Sequence, residues 1–170
     1  MKRLIYLMLL PFLFQGTLMA QNEGNIPTKY RDWYFAINDN LDSFRLVTKK
    51  FEDGTQKGGY MKVYYEKDSI VLFHAEYEVA SGKTSDDYYF KDGKLFFVYS
   101  IITPSMGPMY DPTMPGLSPE ENRYYFSEGK MTIWLDTRRA RVDSTTEEYT
   151  IRADEVLYEL SRLKSLLVGE

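Results

Sequence analysis

DDYYFKDGKLFFVYS, residues 86–100, sets two apolar runs on either side of Asp92-Gly93, and NRYYFSEGKMTIWLD, residues 122–136, repeats the arrangement around Glu128-Gly129. A two-residue hairpin loop needs positive φ, which Gly adopts at least steric cost, so each stretch reads as a strand, a tight turn and a returning antiparallel strand. Outward from there, residues 60–100 are dense in Tyr, Phe, Val and Ile and broken by turn residues, the pattern of consecutive hairpins. A fainter third copy lies in VYYEKDSIVLFHA, where Val63, Tyr64 and Tyr65 stand in the places of Tyr88, Tyr89 and Phe90. Its turn lacks Gly, and the set Val71, Phe73, Ala75, Tyr77 and Val79 fits a loop of odd length, so two registers stay open for it. The copies start 25 and then 36 residues apart, which excludes the fixed period of a solenoid or propeller.

The turns sort the side chains. With Asp92-Gly93 as the loop, Tyr88 faces Phe97, and Tyr88, Phe90, Leu95, Phe97 and Tyr99 share one face; Tyr124, Phe126, Met131, Ile133 and Leu135 share the corresponding face of the second copy. That face is the expected interior. The opposite face carries Tyr89, Lys91, Lys94, Phe96 and Val98, then Tyr125, Ser127, Lys130, Thr132 and Trp134. Tyr89, Phe96, Tyr125 and Trp134 there form an aromatic cluster among polar groups, suited to stacking on a sugar ring or docking an apolar partner. The simpler reading is that a helix lies on them, with its Trp33 or Leu160 side, and makes them core.

Helices are expected at both ends. Pro27 and Thr28 open a segment in which Tyr30, Trp33, Tyr34, Ile37 and Leu41 follow helical spacing, predicting a helix over about 28–41. Arg45 to Phe51 alternates loosely, a strand ahead of the turn-rich EDGTQKGG, so the sheet is expected over about 45–137. Ser144 and Glu147 form a capping box, and Tyr149, Ala153, Val156, Leu160, Leu163 and Leu167 make one apolar seam, predicting a helix over about 145–168. Five prolines between 103 and 119 mark a long Pro- and Met-rich loop. The expected fold is α+β, an antiparallel β-hairpin meander sheet flanked by an N-terminal and a C-terminal helix.

Lys2 and Arg3, an apolar run from Leu4 to Phe14 and a polar stretch ending at Ala20 have the order of a secretory signal peptide, with Leu18 bulkier than usual before the cut. The run is too short to span a bilayer, so a periplasmic or secreted domain of residues 21–170 without a membrane anchor is expected. Losing Lys2 and Arg3 leaves 19 basic residues against 25 acidic, a net charge of −6, which argues against nucleic acid as a partner. With no cysteine there is no disulfide frame, and burial alone must hold the fold.

Chemistry-bearing groups are sparse. One histidine and no cysteine exclude a Cys/His zinc site, and no cofactor motif is present; GTQKGG lacks the spacing of a nucleotide loop. His74 and Glu76 lie two apart on a strand and so on one face, a possible base and orienter, though a strand histidine beside acids is more often a surface residue. The adjacent acids Asp86-Asp87 point to opposite faces and make no carboxylate pair. Met106, Met109 and Met114, with Tyr110, sit in the Pro-rich loop, where thioethers suit Cu(I) but more commonly pack a loop onto a sheet. Arg138, Arg139 and Arg141 form a small basic cluster, a docking point for an acidic group or a solvated connection.

The strings YYF-x-D-G-K-L and RYYF-x-x-G-K-M-x-I-W, between two terminal helices, resemble a family of exported bacterial proteins without an assigned biochemical role, over most of residues 28 to 168. YY-x-DGK strings also occur in MORN-like hairpin repeats, which are interaction or scaffold modules. The uneven spacing and the Pro-Met loop depart from that pattern. The resemblance implies a non-enzymatic protein and carries no catalytic residue. The expectation is therefore a non-catalytic binding domain contacting an envelope protein or carbohydrate through Tyr89, Phe96, Tyr125 and Trp134 and the 103–119 loop with Met106, Met109 and Tyr110. The alternatives are an envelope-polymer hydrolase using His74 and Glu76, or an inhibitor-like protein presenting the loop.

Overall fold

Three hairpins of one design build most of the molecule. The computed structural model describes residues 26–53, 56–79, 82–104 and 118–168. Helix α1 (Thr28–Asn38) and a 3-10 turn (Leu41–Ser43) lead into β1 (Arg45–Asp53), β2 (Gln56–Glu66), β3 (Ser69–Val79), β4 (Gly82–Lys91), β5 (Lys94–Pro104), β6 (Glu120–Ser127) and β7 (Lys130–Leu135), and helix α2 (Glu147–Val168) closes the chain. The strands form one antiparallel sheet in chain order, β1 to β7. The architecture is α+β, a meander with a helix at each end. Residues 1–20, expected as a signal, and most of the 103–119 loop, including Met106, Met109, Tyr110 and Met114, lie outside the described residues.

The pairs Glu66↔Ser69, Lys91↔Lys94 and Ser127↔Lys130 flank the three two-residue turns. Asp92 and Glu128 adopt φ of 52° and 49°, and the glycines after them 75° and 77°, both central residues at positive φ as the tight hairpin turn demands. Lys67 takes φ 56° in the turn without glycine.

One pair beyond each turn, the register slips. Phe90 pairs with Leu95, but Tyr89 pairs with Phe97, so Phe96 is an extra residue; Val71 and Thr132 are extra in the same place in the other two hairpins. A bulge of this kind flips the alternation of everything after it. Tyr88 therefore faces Val98 and not Phe97, and Tyr124 faces Trp134 and not Ile133. Phe97 and Tyr99 move to the face of Tyr89, while Val98 and Trp134 join Tyr88 and Tyr124. The open register of the first hairpin resolves the same way, with Tyr64 opposite Leu72 and Val63 opposite Phe73.

Each face has its own core. Helix α2 packs Tyr149, Val156, Leu160 and Leu163 on Met61, Val63, Phe73, Tyr88, Tyr124, Phe126 and Trp134. Thr146, rather than Ser144, caps it, its hydroxyl accepting the Tyr149 N–H at 3.2 Å, and Glu147 and Glu148 complement the positive end of the helix. On the other face, α1 places Tyr30, Trp33, Tyr34 and Ile37 over Leu72, Tyr89, Phe96 and Phe97. This helix stops before Leu41 because the side-chain amides of Asn38 and Asn40 donate to the carbonyls of Tyr34 and Ala36, each at 2.8 Å. Gly59, expected within a turn, lies in β2, where a Cβ would run into the Glu76 carbonyl and stand 2.9 Å from the Phe51 ring.

The aromatic set expected as one exposed surface is thus divided. Tyr89 and Phe96 lie under α1 at 3% and 2% exposure, Trp134 is turned toward α2 at 5%, and Tyr125 alone is half-buried. There are two physical reasons: α1 covers Tyr89 and Phe96, and the bulge at Thr132 turns Trp134 to the opposite face.

Candidate functional site

Helix α1 starts over β6 and runs toward β4, and the space beside its N-terminal half stays open. Tyr30 fixes the start, its hydroxyl donating to the Phe126 carbonyl at 3.0 Å. Its ring stacks on Phe96 with centroids 6.0 Å apart and leans on Tyr125 at 5.8 Å. Beside it is a cleft of about 600 Å³, with Ile26, Thr28, Arg31 and Tyr34 on the helix side, Phe97, Tyr99, Arg123, Tyr125 and Leu135 on the floor, and Arg139 at the rim.

The floor is aromatic because the bulge in β4–β5 placed Phe97 and Tyr99 on this face. Phe97 and Tyr125 are cross-strand partners with centroids 4.9 Å apart, and Tyr34 meets Phe97 edge-on at 5.9 Å. Tyr99 pairs across the strands with Arg123, whose guanidinium carbon sits 4.9 Å from the Tyr99 centroid. Arg123 Nη2 donates to Glu121 at 2.7 Å. That bond, helped by Tyr99, holds the Glu121 carboxyl below the usual range. Arg123 Nη1 is buried without a partner.

Arg139 reaches the cleft from a tight turn. Asp136 accepts the N–H groups of Arg138 and Ala140 at 2.9 and 2.8 Å, and Arg139 is held at φ 60°. Of the basic cluster, Arg138 pairs loosely with Asp136 at 3.7 Å, and Arg141 donates to the Thr132 carbonyl at 3.3 Å and bridges to Leu135. The cleft thus gathers Tyr125 and Arg139 from the sequence candidates and adds Tyr30, Arg31, Tyr34, Tyr99 and Arg123. Tyr34 carried a helical-spacing signal but no functional one, and Arg123 none at all.

A second cavity of about 300 Å³ lies beneath α2, floored by Tyr77, Thr84, Asp86, Tyr88 and Ser100 and roofed by Arg152, Glu155 and Glu159. Asp86 is the buried acid here, accepting from Tyr77 at 2.9 Å and Tyr88 at 3.3 Å. Burial pushes its carboxyl up to about 6, against the pull of the Ser100, Tyr77 and Tyr88 hydroxyls. The helix acids are already matched, Glu155 to Arg152 at 3.1 Å and Glu159 to Arg162 at 2.9 Å. These groups bond mostly to one another.

The expected His74–Glu76 pair is not formed. His74 Nδ1 lies 2.7 Å from Asp87, its direct cross-strand partner, while Glu76 pairs with Lys83 and accepts from Tyr60 at 2.8 Å. Burial pushes the Glu76 carboxyl up, but Lys83 and Tyr60 outweigh it and bring it below the usual range. His74 lines neither cavity. Among the described residues no cluster of three His, Asp or Glu suits a metal, and no helix is long and apolar enough to cross a membrane. Compared with known proteins, the chain matches no family model, no curated protein and no solved structure.

Proposed function

We propose that this chain is a non-catalytic binding domain of an exported protein, and that its ligand sits in the cleft between α1 and strands β5 to β7. The observation that carries the reading is the cleft's composition: the rings of Tyr34, Phe97, Tyr99 and Tyr125 together with the guanidinium groups of Arg31, Arg123 and Arg139, in a volume of about 600 Å³. That is the size and make-up of a small-molecule site, an apolar enclosure with a few orienting groups. The basic, apolar and small-residue order of residues 1–20 supports export. The contact surface is thereby moved from the expected aromatic quartet to one that keeps only Tyr125 of it.

Fluorescence titration with phenylnaphthylamine, a neutral flat aromatic probe, tests the site. Saturable binding that weakens by about tenfold on Tyr125→Ala supports it, a loss of about 1.4 kcal/mol of stacking. An absence of saturable binding removes the cleft as a ligand site. The hydrolase reading has the His74–Asp87 contact at 2.7 Å in its favour. Release of reducing ends from envelope polysaccharide, abolished in His74→Ala, would restore it over the binding reading.

A further inference from the structure

We infer that the ligand of this cleft is a flat molecule bearing one oxyanion group, with Arg123 as its anchor; the inference rests on the binding reading above. The cleft holds three guanidinium groups, from Arg31, Arg123 and Arg139, against one neighbouring carboxylate, Glu121 on Arg123, whereas the whole chain has a net charge of −4. A cation-lined concavity in an acidic protein concentrates anions locally.

Arg123 supplies the more specific observation. Its side chain is only 16% exposed, one nitrogen bonds Glu121, and Nη1 is buried with no acceptor. A buried donor left unmatched is costly, and an oxygen acceptor brought by a ligand recovers that cost. The planar fork of Arg suits an oxyanion, and stacking on Tyr99 fixes its plane before any ligand arrives. The start of α1 lines the same cleft through Ile26 and Thr28, with no side-chain cap and no acid in its first turn. The positive end of its helix dipole adds to the same preference. Three cations around one small volume match a single head group rather than a polyanion.

The test compares two probes of like shape on the purified protein, anilinonaphthalene sulfonate and neutral phenylnaphthylamine. The sulfonate is expected to bind about tenfold tighter, with that advantage shrinking as salt rises. Arg123→Gln is expected to lower sulfonate affinity about tenfold and leave the neutral probe unchanged. Arg31→Gln, an exposed position, should lower it a few-fold and keeps the test valid if the Arg123 variant does not fold. Equal affinities for the two probes, or unchanged sulfonate affinity in both variants, overturn the anion assignment while leaving the binding reading intact. Binding of neither probe overturns both.

Discussion

The two faces of the sheet are covered unequally, one by a long helix and the other by a short one that leaves a cleft open. Seven strands at about 4.8 Å spacing make a sheet roughly 29 Å across. Helix α2, 22 residues and about 33 Å long, crosses at least five of the seven strands, from Trp134 on β7 to Tyr77 on β3. Helix α1, 11 residues and about 16 Å long, covers about half and leaves the cleft and the His74–Asp87 surface uncovered. The charged groups differ as well: the Asp86 carboxyl is buried under α2, and Arg31, Arg123 and Arg139 line the open cleft.

The largest effect that could break this contrast is a core deletion. Leu163→Ala, at a fully buried position under α2, is expected to cost about 2–5 kcal/mol in urea unfolding, and Ile37→Ala under α1 to fall at the lower end of that range. A greater loss at Ile37 would reverse the assignment of the faces.

Asp86→Asn comes next, with the opposite sign. The folded carboxyl is raised to about 6 from an unfolded value near 3.9, so its stabilising contribution is complete below about pH 4 and is lost as pH rises through about 6. The variant should therefore be more stable than the parent by on the order of 3 kcal/mol at neutral pH and equal to it near pH 4. Parallel stability curves for the two proteins across that window would contradict the burial of a charge under α2.

Smaller still is Tyr30→Phe, which removes a buried hydrogen bond from α1 to β6; a loss of about 1 kcal/mol is expected. Iodide quenching reports the contrast through exposure rather than stability. The two tryptophans lie on opposite faces, Trp33 half-buried on α1 and Trp134 at 5% exposure under α2. Trp33→Phe should leave emission that iodide does not reach, and Trp134→Phe should leave emission that it does. A quenchable signal in the Trp33 variant would return Trp134 to the surface.

Turn chemistry and helical spacing made the meander and both helices legible, because Asp92-Gly93 and the seam from Tyr149 to Leu167 have local physical causes. The faces were not legible beyond the turns. LFFV at 95–98 and IVLF at 70–73 are unbroken apolar runs, so nothing in them shows which residue is the extra one. Arg139 was visible within a basic cluster. Arg123 and Tyr99 were not, since their pairing exists only once β5 and β6 are aligned across the 105–117 connection. Asp86 and Asp87 read correctly as pointing apart, but no local signal shows that one is buried and the other bonds His74.

Because strand order repeats chain order, each strand pairs with its neighbour in the chain, across a short connection in every case but that of β5 and β6. Hairpins of this kind close in about 1–10 μs. Helix α1 is different: Tyr30 must wait for Phe126, 96 residues downstream, to find its acceptor. In a chain emerging N-terminus first at about 5–20 residues per second, that wait lasts roughly 5–20 s, so the first element made is completed among the last.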